Sequence, residues 1–183
     1  MSALDHPRVE VFDRWADERM EKLRGTSRLD RLMVAASELG DFSLVWHIAG
    51  ATRGLLSEAL AGQALLFSAL MGIESLVVNQ GLKRIFRRTR PTESGDPRLR
   101  VRKPSTSSFP SGHASAAFFA ACVLTAWGPA WSAAIWFPLA MVVGTSRAYV
   151  RIHHASDVVG GALVGVALAM VALPVVRSLG GPG

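Results

Sequence analysis

Apolar residues fall into long runs along this chain, and polar positions gather between the runs rather than alternating within them. Val158–Val176 carries nineteen residues without a charge. Leu55–Leu82 is a long run marked by Glu58, Gln63, Glu74, Asn79 and Gln80, and Ala114–Trp127 and Trp131–Thr145 are separated by the breaker Gly128-Pro129. A transmembrane helix needs about 20 apolar residues, so the middle two qualify only with their flanking turns. A fifth, weaker segment, Leu32–Ala51, carries Glu38 and Asp41. Trp127, Trp131 and Trp136 sit near segment ends, as an aromatic belt predicts. Ahead of these segments, residues 8–24 place Val9, Phe12, Ala16, Met20 and Leu23 at helical spacing with charges elsewhere, an amphipathic helix. It lies at a membrane surface or caps the domain as an ordinary surface helix, and the pattern leaves both readings open. No run alternates in the manner of a strand. The expected fold is all-α: an integral membrane helical bundle of about five transmembrane helices plus an N-terminal amphipathic helix.

Composition sharpens that picture. Half of the 183 residues are apolar and 19% are charged, with a mean hydropathy of +0.28. Soluble domains carry about a quarter charged residues. The apolar content excludes intrinsic disorder, and a lone cysteine, Cys122, excludes a disulfide-stapled module. The opening MSALDHPRVEVFDRW lacks the apolar core and cleavage site of a signal peptide. The length suits one domain. The expected organisation is an interfacial segment over 1–28, a membrane-embedded domain over 29–178 and a tail over 179–183.

The net charge is +6. Residues 1–31 cancel internally, so the excess is one loop: Lys83, Arg84, Arg87, Arg88, Arg90, Arg98, Arg100, Arg102 and Lys103 against Glu93 and Asp96. Such a cluster suits anionic headgroups, phosphorylated substrates or nucleic acid, and it also satisfies the positive-inside rule at a membrane edge.

Three polar regions carry candidate chemistry. Lys83 and Arg90 are seven apart, two helical turns, and face one way if the preceding helix runs on to Arg90, where Pro91 should stop it. Pro110-Ser111-Gly112-His113 opens the next apolar run, with Ser111 as N-cap and the Gly112 amide presented to an anion at the helix N-terminus. His153 and Asp157 are four apart on one helix face, so the carboxylate can hold one imidazole nitrogen and leave the other as a nucleophile. Arg147 offers a planar fork for phosphate oxygens. His154 and Asp157 are three apart and could also pair.

Together, Lys-x6-Arg-Pro, Pro-Ser-Gly-His and Ser-Arg-x5-His-x3-Asp, in that order over residues 83–157, resemble the signature of the type 2 phosphatidic acid phosphatase and haloperoxidase superfamily. The resemblance implies that Lys83, Arg90 and Arg147 bind phosphate oxygens, with Ser111 and the Gly112 amide completing the cradle. It makes His153 the nucleophile that forms a phosphohistidine, in preference to His154, which stands where the family often has an aromatic residue. His113 protonates the leaving alkoxide and then activates water, and Asp157 sets the tautomer of His153. No metal and no cofactor are implied, and no Cys/His or carboxylate cluster offers to bind one.

The expected function is hydrolysis of a lipid phosphate monoester or diphosphate, favouring a polyprenyl-linked carrier such as polyprenyl diphosphate or decaprenylphosphoryl-5-phosphoribose in bacterial cell-wall assembly. Phosphatidic acid and phosphatidylglycerophosphate are the alternatives. The expected partners are the bilayer and its lipid phosphate, not nucleic acid. A non-catalytic basic membrane protein explains the charge but not the two histidines and the aspartate. A vanadate-dependent haloperoxidase shares the constellation but belongs to a soluble class. Five spans and positive-inside counting put the site on the cytoplasmic face of the inner membrane. Glu74 and Asn79 read as interhelical hydrogen bonders, although an acid within a span is also a functional candidate. Gly161-x3-Gly165 reads as a close helix contact, and Cys122 as a small hydrophobe.

Overall fold

A computed structural model of the protein describes residues 6–56, 58–92, 96–99, 101–102 and 104–180. Glu93, Arg100 and Lys103 of the basic loop, and 181–183 of the expected tail, lie outside the described residues. Among the described residues every regular element is helical, as the absence of alternating runs predicts.

The chain opens with α1 (Pro7–Glu21), capped by His6, whose Nδ1 accepts the Arg8 amide at 3.2 Å. Its buried side is only partly the apolar one the spacing suggested: Met20 packs against Tyr149, Val150 and Ile152, but a carboxylate joins that side. Asp13 and Ala16 are buried, whereas Phe12, Trp15 and Val11 are exposed. The reason is its docking partner: α1 packs on a polar loop, which it meets with carboxylates.

The segment Leu32–Ala51 is not one helix. It divides into α2 (Ser27–Leu39) and α3 (Leu44–Leu56) at a tight turn, Asp41–Ser43, in which Phe42 (φ 52°) and Ser43 (φ 59°) adopt left-handed backbone. That conformation costs a non-glycine residue roughly 1–2 kcal/mol. The next run, α4 (Glu58–Ser75), continues through a π-helical stretch, Leu76–Leu82, into the single turn α5 (Lys83–Ile85). Helix ends at Ile85, ahead of the Arg90 stop expected from Pro91. Phe86 is extended (φ −97°, ψ 125°), and the following backbone bonds across the loop, with Ser108 N donating to Arg88 O at 3.0 Å. Then come α6 (Gly112–Ala126), α7 (Ala133–Tyr149) and α8 (Ala155–Gly180).

Five of these helices, α3, α4, α6, α7 and α8, run between two ends of the bundle. At one end Arg53 Nη2 donates to Gln63 Oε1 (3.0 Å) and Trp127 O (3.4 Å), and Trp127 Nε1 donates to Val176 O (2.9 Å). Trp127 is therefore a core residue rather than a belt residue, while Trp131 is exposed. At the other end Ser111 N donates to Asp157 O, tying the start of α6 to the start of α8. The number of passes matches the sequence expectation, with α3 in place of Leu32–Ala51 as the first. Two helical stretches, Leu60–Ile85 and Ala155–Ser178, are long and apolar enough to cross a membrane (mean hydropathy 1.6 and 2.4), and α6 is a shorter apolar helix.

Helix α6 is the axis. Ala114, Ala117, Ala120, Ala121, Val123 and Leu124 are fully buried against α7 and α8. A Cβ at Gly161 or Gly165 of α8 would strike the carbonyl oxygens of Ser111 and Ser115, so these glycines let α8 lie on α6 as the small-residue spacing predicts. The outer surface is greasy: Leu65 is 76%, Leu163 66% and Val171 78% exposed. Side chains of that kind suit lipid contact rather than water.

Candidate functional site

The three polar regions converge at the end of the bundle where α6 and α8 begin. A cavity of about 270 Å³ lies there, lined by Lys83, Gly112, His113 and His153, with Asp41 and Glu74 among its walls. The π-helical stretch delivers Lys83, which is largely buried; a Cβ on Gly112 would meet Asn79 Oδ1 at 2.9 Å and Lys83 Nζ at 3.3 Å, so glycine leaves room for both side chains at the α6 N-terminus.

Arg90 arrives from extended chain rather than from the helix face that its spacing suggested. Its guanidinium is clamped by three carbonyls, Nη1 donating to Ile152 O (2.9 Å) and Nη2 to Thr106 O (2.9 Å) and Ser107 O (3.3 Å), and Nη1 lies 3.3 Å from His153 Nε2. Arg147, in the last turn of α7, is 1% exposed. Its Nη1 donates to Ser37 Oγ, while Nε and Nη2 are buried with no hydrogen-bond partner among the described residues. An unsatisfied buried donor costs about 1–3 kcal/mol, more when charged, an arrangement that favours a bound oxyanion. Ser111 serves the helix instead of the cavity: its hydroxyl accepts the Ala114 amide at 3.4 Å as N-cap.

His153 precedes α8 in a turn, so its pairing with Asp157 is not made across a helix face as the spacing predicted. The contact exists all the same. Nδ1 is 3.6 Å from Asp157 Oδ2 and 3.5 Å from Ser108 Oγ, leaving Nε2 toward Arg90. Burial pushes the His153 pKa down to about 3, with Arg90 and Arg147 acting in the same direction and Asp157 opposing them. The ring is therefore neutral at physiological pH, the state a nitrogen nucleophile requires. His154 points elsewhere, its Nδ1 3.9 Å from Asp13 Oδ2, while its backbone amide donates to Asp157 Oδ2 at 2.8 Å.

His113 occupies the first turn of α6. Its Nε2 lies 3.0 Å from Asp41 Oδ1 and 3.2 Å from Ser37 O. Burial works against charge on Asp41, yet His113, with Arg147 and Arg102 nearby, holds its carboxyl below the usual range. Sequence reasoning missed Asp41 because an acid inside an apolar segment looked like a flaw in a span.

Two further groups were missed. Ser108 Oγ donates to Asp157 Oδ2 at 2.5 Å. Arg88 Nη1 reaches Asp157 Oδ1 at 2.5 Å and its Nη2 reaches Asp13 Oδ2 at 2.6 Å. Arg88 sat within the basic loop with nothing to single it out. Glu74 accepts a hydrogen bond from Ser115 on α6, as an interhelical bonder would. Cys122 is half-buried beside the core.

The family model of the PAP2 superfamily matches residues 63–180. A protein of Escherichia coli (strain K12), provisionally named undecaprenyl-diphosphatase YbjG, is 30% identical over 92 residues, which make up 50% of this chain and 46% of that protein. The chain thus spans about half the length of that curated relative. Among solved structures, a transmembrane PAP2-type phosphatidylglycerolphosphate phosphatase from Bacillus subtilis superposes with a TM-score of 0.76 at 24% identity, covering 97% of this chain and 90% of the other. That likeness extends the shared fold across nearly the whole molecule.

Proposed function

The chain belongs to the PAP2 superfamily, and from that premise we propose that it is an integral membrane phosphatase that hydrolyses a lipid phosphate through a phosphohistidine, without a metal ion. The observation that carries this reading is the pair of buried, unspent donors on Arg147 beside a neutral His153 and Lys83. Phosphoryl transfer depends mainly on positioning and on neutralising charge over the phosphoryl oxygens. Arg147, Arg90 and Lys83 supply three cations, and the Gly112 amide a further donor that Ser111 holds in place by capping α6.

In the reading proposed, His153 Nε2 attacks phosphorus and the bond to the leaving oxygen breaks, that oxygen taking a proton from His113 in its imidazolium form; burial pushes the His113 pKa down to about 4, and the Asp41 carboxylate at Nε2 opposes that shift. Water then gives a proton to His113 and attacks phosphorus, the N–P bond breaking with its electron pair returning to His153 Nε2 as inorganic phosphate is released. Asp157 holds Nδ1 of the nucleophile, and Asp41 holds Nε2 of the acid–base histidine.

The favoured substrate is a polyprenyl-linked carrier, a polyprenyl diphosphate or decaprenylphosphoryl-5-phosphoribose. The YbjG likeness supports the polyprenyl class. Residues 29–178 form the membrane-embedded domain of a multi-pass inner-membrane protein, with 1–28 at the interface. The site faces the cytoplasm, because Arg84, Arg87, Arg98 and Arg102 lie at its end of the bundle and Arg53 and Arg177 at the other. The test is phosphate release by purified protein from polyprenyl diphosphate, decaprenylphosphoryl-5-phosphoribose, phosphatidylglycerophosphate and phosphatidic acid. Turnover of a polyprenyl substrate that His153→Ala abolishes is the expected result. Preference for either glycerolipid would replace the substrate class, and turnover of none would remove the phosphatase reading.

A further inference from the structure

Asp157, the carboxylate behind the proposed nucleophile, does not stand alone. Oδ2 takes the Ser108 hydroxyl and the His154 amide, and Oδ1 takes Arg88 Nη1 at 2.5 Å. The other arm of that guanidinium, Nη2, is bound at 2.6 Å by Asp13 of α1. Asp13 in turn accepts the Ser156 amide at 2.8 Å and the Ser156 hydroxyl at 2.8 Å, so it also fastens the first turn of α8. Asp13 and Asp157 are buried and Arg88 nearly so. Although burial works against its charge, the two carboxylates raise the Arg88 pKa above its ordinary value. A guanidinium bridging two buried carboxylates, one nitrogen to each, is a charge-assisted arrangement of defined geometry.

We propose that Arg88 and Asp13 are positioning residues for the nucleophile, with α1 acting through the Asp13–Arg88–Asp157 bridge to hold His153 in its attacking orientation and in its neutral form. The inference rests on the phosphohistidine reading above and extends it to a helix that precedes the matched family region, residues 63–180.

Two consequences separate this role from simple support of the fold. Arg88 fixes Oδ1, so Oδ2 is left for Ser108 and the His153 ring. Arg88 also offsets the Asp157 charge. Without it, the uncompensated carboxylate would stabilise the His153 imidazolium against Arg90 from the preceding loop and Arg147 from α7, the cations that face the same ring. The nucleophile would then protonate at higher pH. Asp13 acts through Arg88 and, more weakly, through Ser156, so most of its contribution should vanish once Arg88 is gone. Other contacts secure α1 independently: Asp17 pairs with Arg151 and with Arg24, which follows the helix and donates to the Ala148 and Tyr149 carbonyls at the end of α7. Removing Asp13 therefore leaves the helix docked.

The experiment uses the full chain in lipid nanodiscs, with Arg88→Gln, Arg88→Lys, Asp13→Asn and the Asp13→Asn/Arg88→Gln double variant. Arg88→Gln should lower kcat by about 10–100-fold, as removal of an outer partner does elsewhere, with KM little changed and the acid limb of kcat/KM moved to higher pH. Asp13→Asn should lower kcat less, and should add little in the Arg88→Gln background, well short of its effect on the parent. Losses that multiply in the double variant, or an acid limb that stays in place in Arg88→Gln, would overturn the proposal. Arg88→Lys keeps the charge and loses the fork, so kcat should fall while its acid limb stays with that of the parent; if Arg88→Gln does not accumulate, Arg88→Met, which also lacks the charge, takes its place. Titration of 15N-labelled histidine gives a readout that needs no substrate: the His153 signal should protonate at higher pH in Arg88→Gln than in the parent. A wild-type protein inactive on all four lipids removes the phosphatase reading, while an unmoved His153 titration removes the bridge.

Discussion

Asp41 Oδ1 stands 3.0 Å from Nε2 of His113. The two residues lie on different elements, Asp41 in the turn that separates α2 from α3 and His113 in the first turn of α6. The left-handed backbone at Phe42 and Ser43 is what turns the chain there. A Cβ on Gly40 would strike the imidazole, so glycine also allows the turn to close on it.

Asp41→Asn keeps the shape and removes the charge that fixes the ring. General acid–base catalysis contributes about 10²–10⁴-fold, and loss of its orienting partner should cost part of that, roughly tenfold or more in kcat. Asp41→Glu should recover some of the loss. Steady-state kinetics on the best lipid of the panel check this, and wild-type kcat in Asp41→Asn would end the assignment.

Replacing the histidines should rank them. His153→Ala and His113→Ala should each lower turnover by orders of magnitude, with loss of the general acid worth about 10²–10⁴-fold. His154→Ala should be much milder, since its ring faces Asp13 rather than the cavity. An inactive His154→Ala protein beside an active His153→Ala protein would reverse the choice of nucleophile.

Hydrolysis should persist in excess chelator, and vanadate should inhibit by adopting the trigonal-bipyramidal geometry of the phosphoryl in transfer. Initial rates with and without EDTA, followed by a vanadate titration, measure both. An absolute requirement for Mg²⁺ or Zn²⁺ would contradict a mechanism built on three side-chain cations.

Stability should fall on acidification through a definite window. The His153 pKa is about 3 in the fold against an ordinary 6.5, so between those values the unfolded chain binds a proton that the folded chain does not. That contribution is complete above about pH 6.5 and is lost progressively as pH drops toward 3. Thermal unfolding in detergent at pH 7.5 and 4.5 should show a lower Tm at the acid value, and His153→Gln should flatten the difference. Equal slopes in the two proteins would show that His153 is not buried neutral.

Sidedness is testable with single cysteines in a Cys122→Ser background. Ser105 lies in the loop at the cavity end and Ala130 at the opposite end, both exposed. An impermeant thiol reagent on intact cells should label Ala130→Cys and spare Ser105→Cys. The reverse pattern would put the site outside.

The apolar runs were enough to locate α4, α6, α7 and α8, and the three ordered motifs named the residues that meet at their ends. The turn at Asp41–Ser43 was not legible, because neither Phe42 nor Ser43 is a residue that advertises left-handed backbone. Nor was the π-helical stretch, which carries Lys83 to Gly112 although helix stops at Ile85. The face that α1 buries was hidden for another reason. Hydrophobic spacing finds helices that pack on apolar neighbours, and Asp13 packs on Arg88. Polar docking leaves no periodic trace.

The Asp13–Arg88–Asp157 bridge also bears on how the protein is made. Asp13 leaves the ribosome first and Arg88 follows, but Ser156 and Asp157 come 143 and more residues after Asp13. Until α8 has been synthesised and inserted, Arg88 has one carboxylate and α1 has no helix end to fasten. Contacts so distant in sequence close late in folding. This end of the bundle therefore cannot close until α8 has been made, since a nascent chain that stops short of Ser156 lacks the residues on which Asp13 and Arg88 converge.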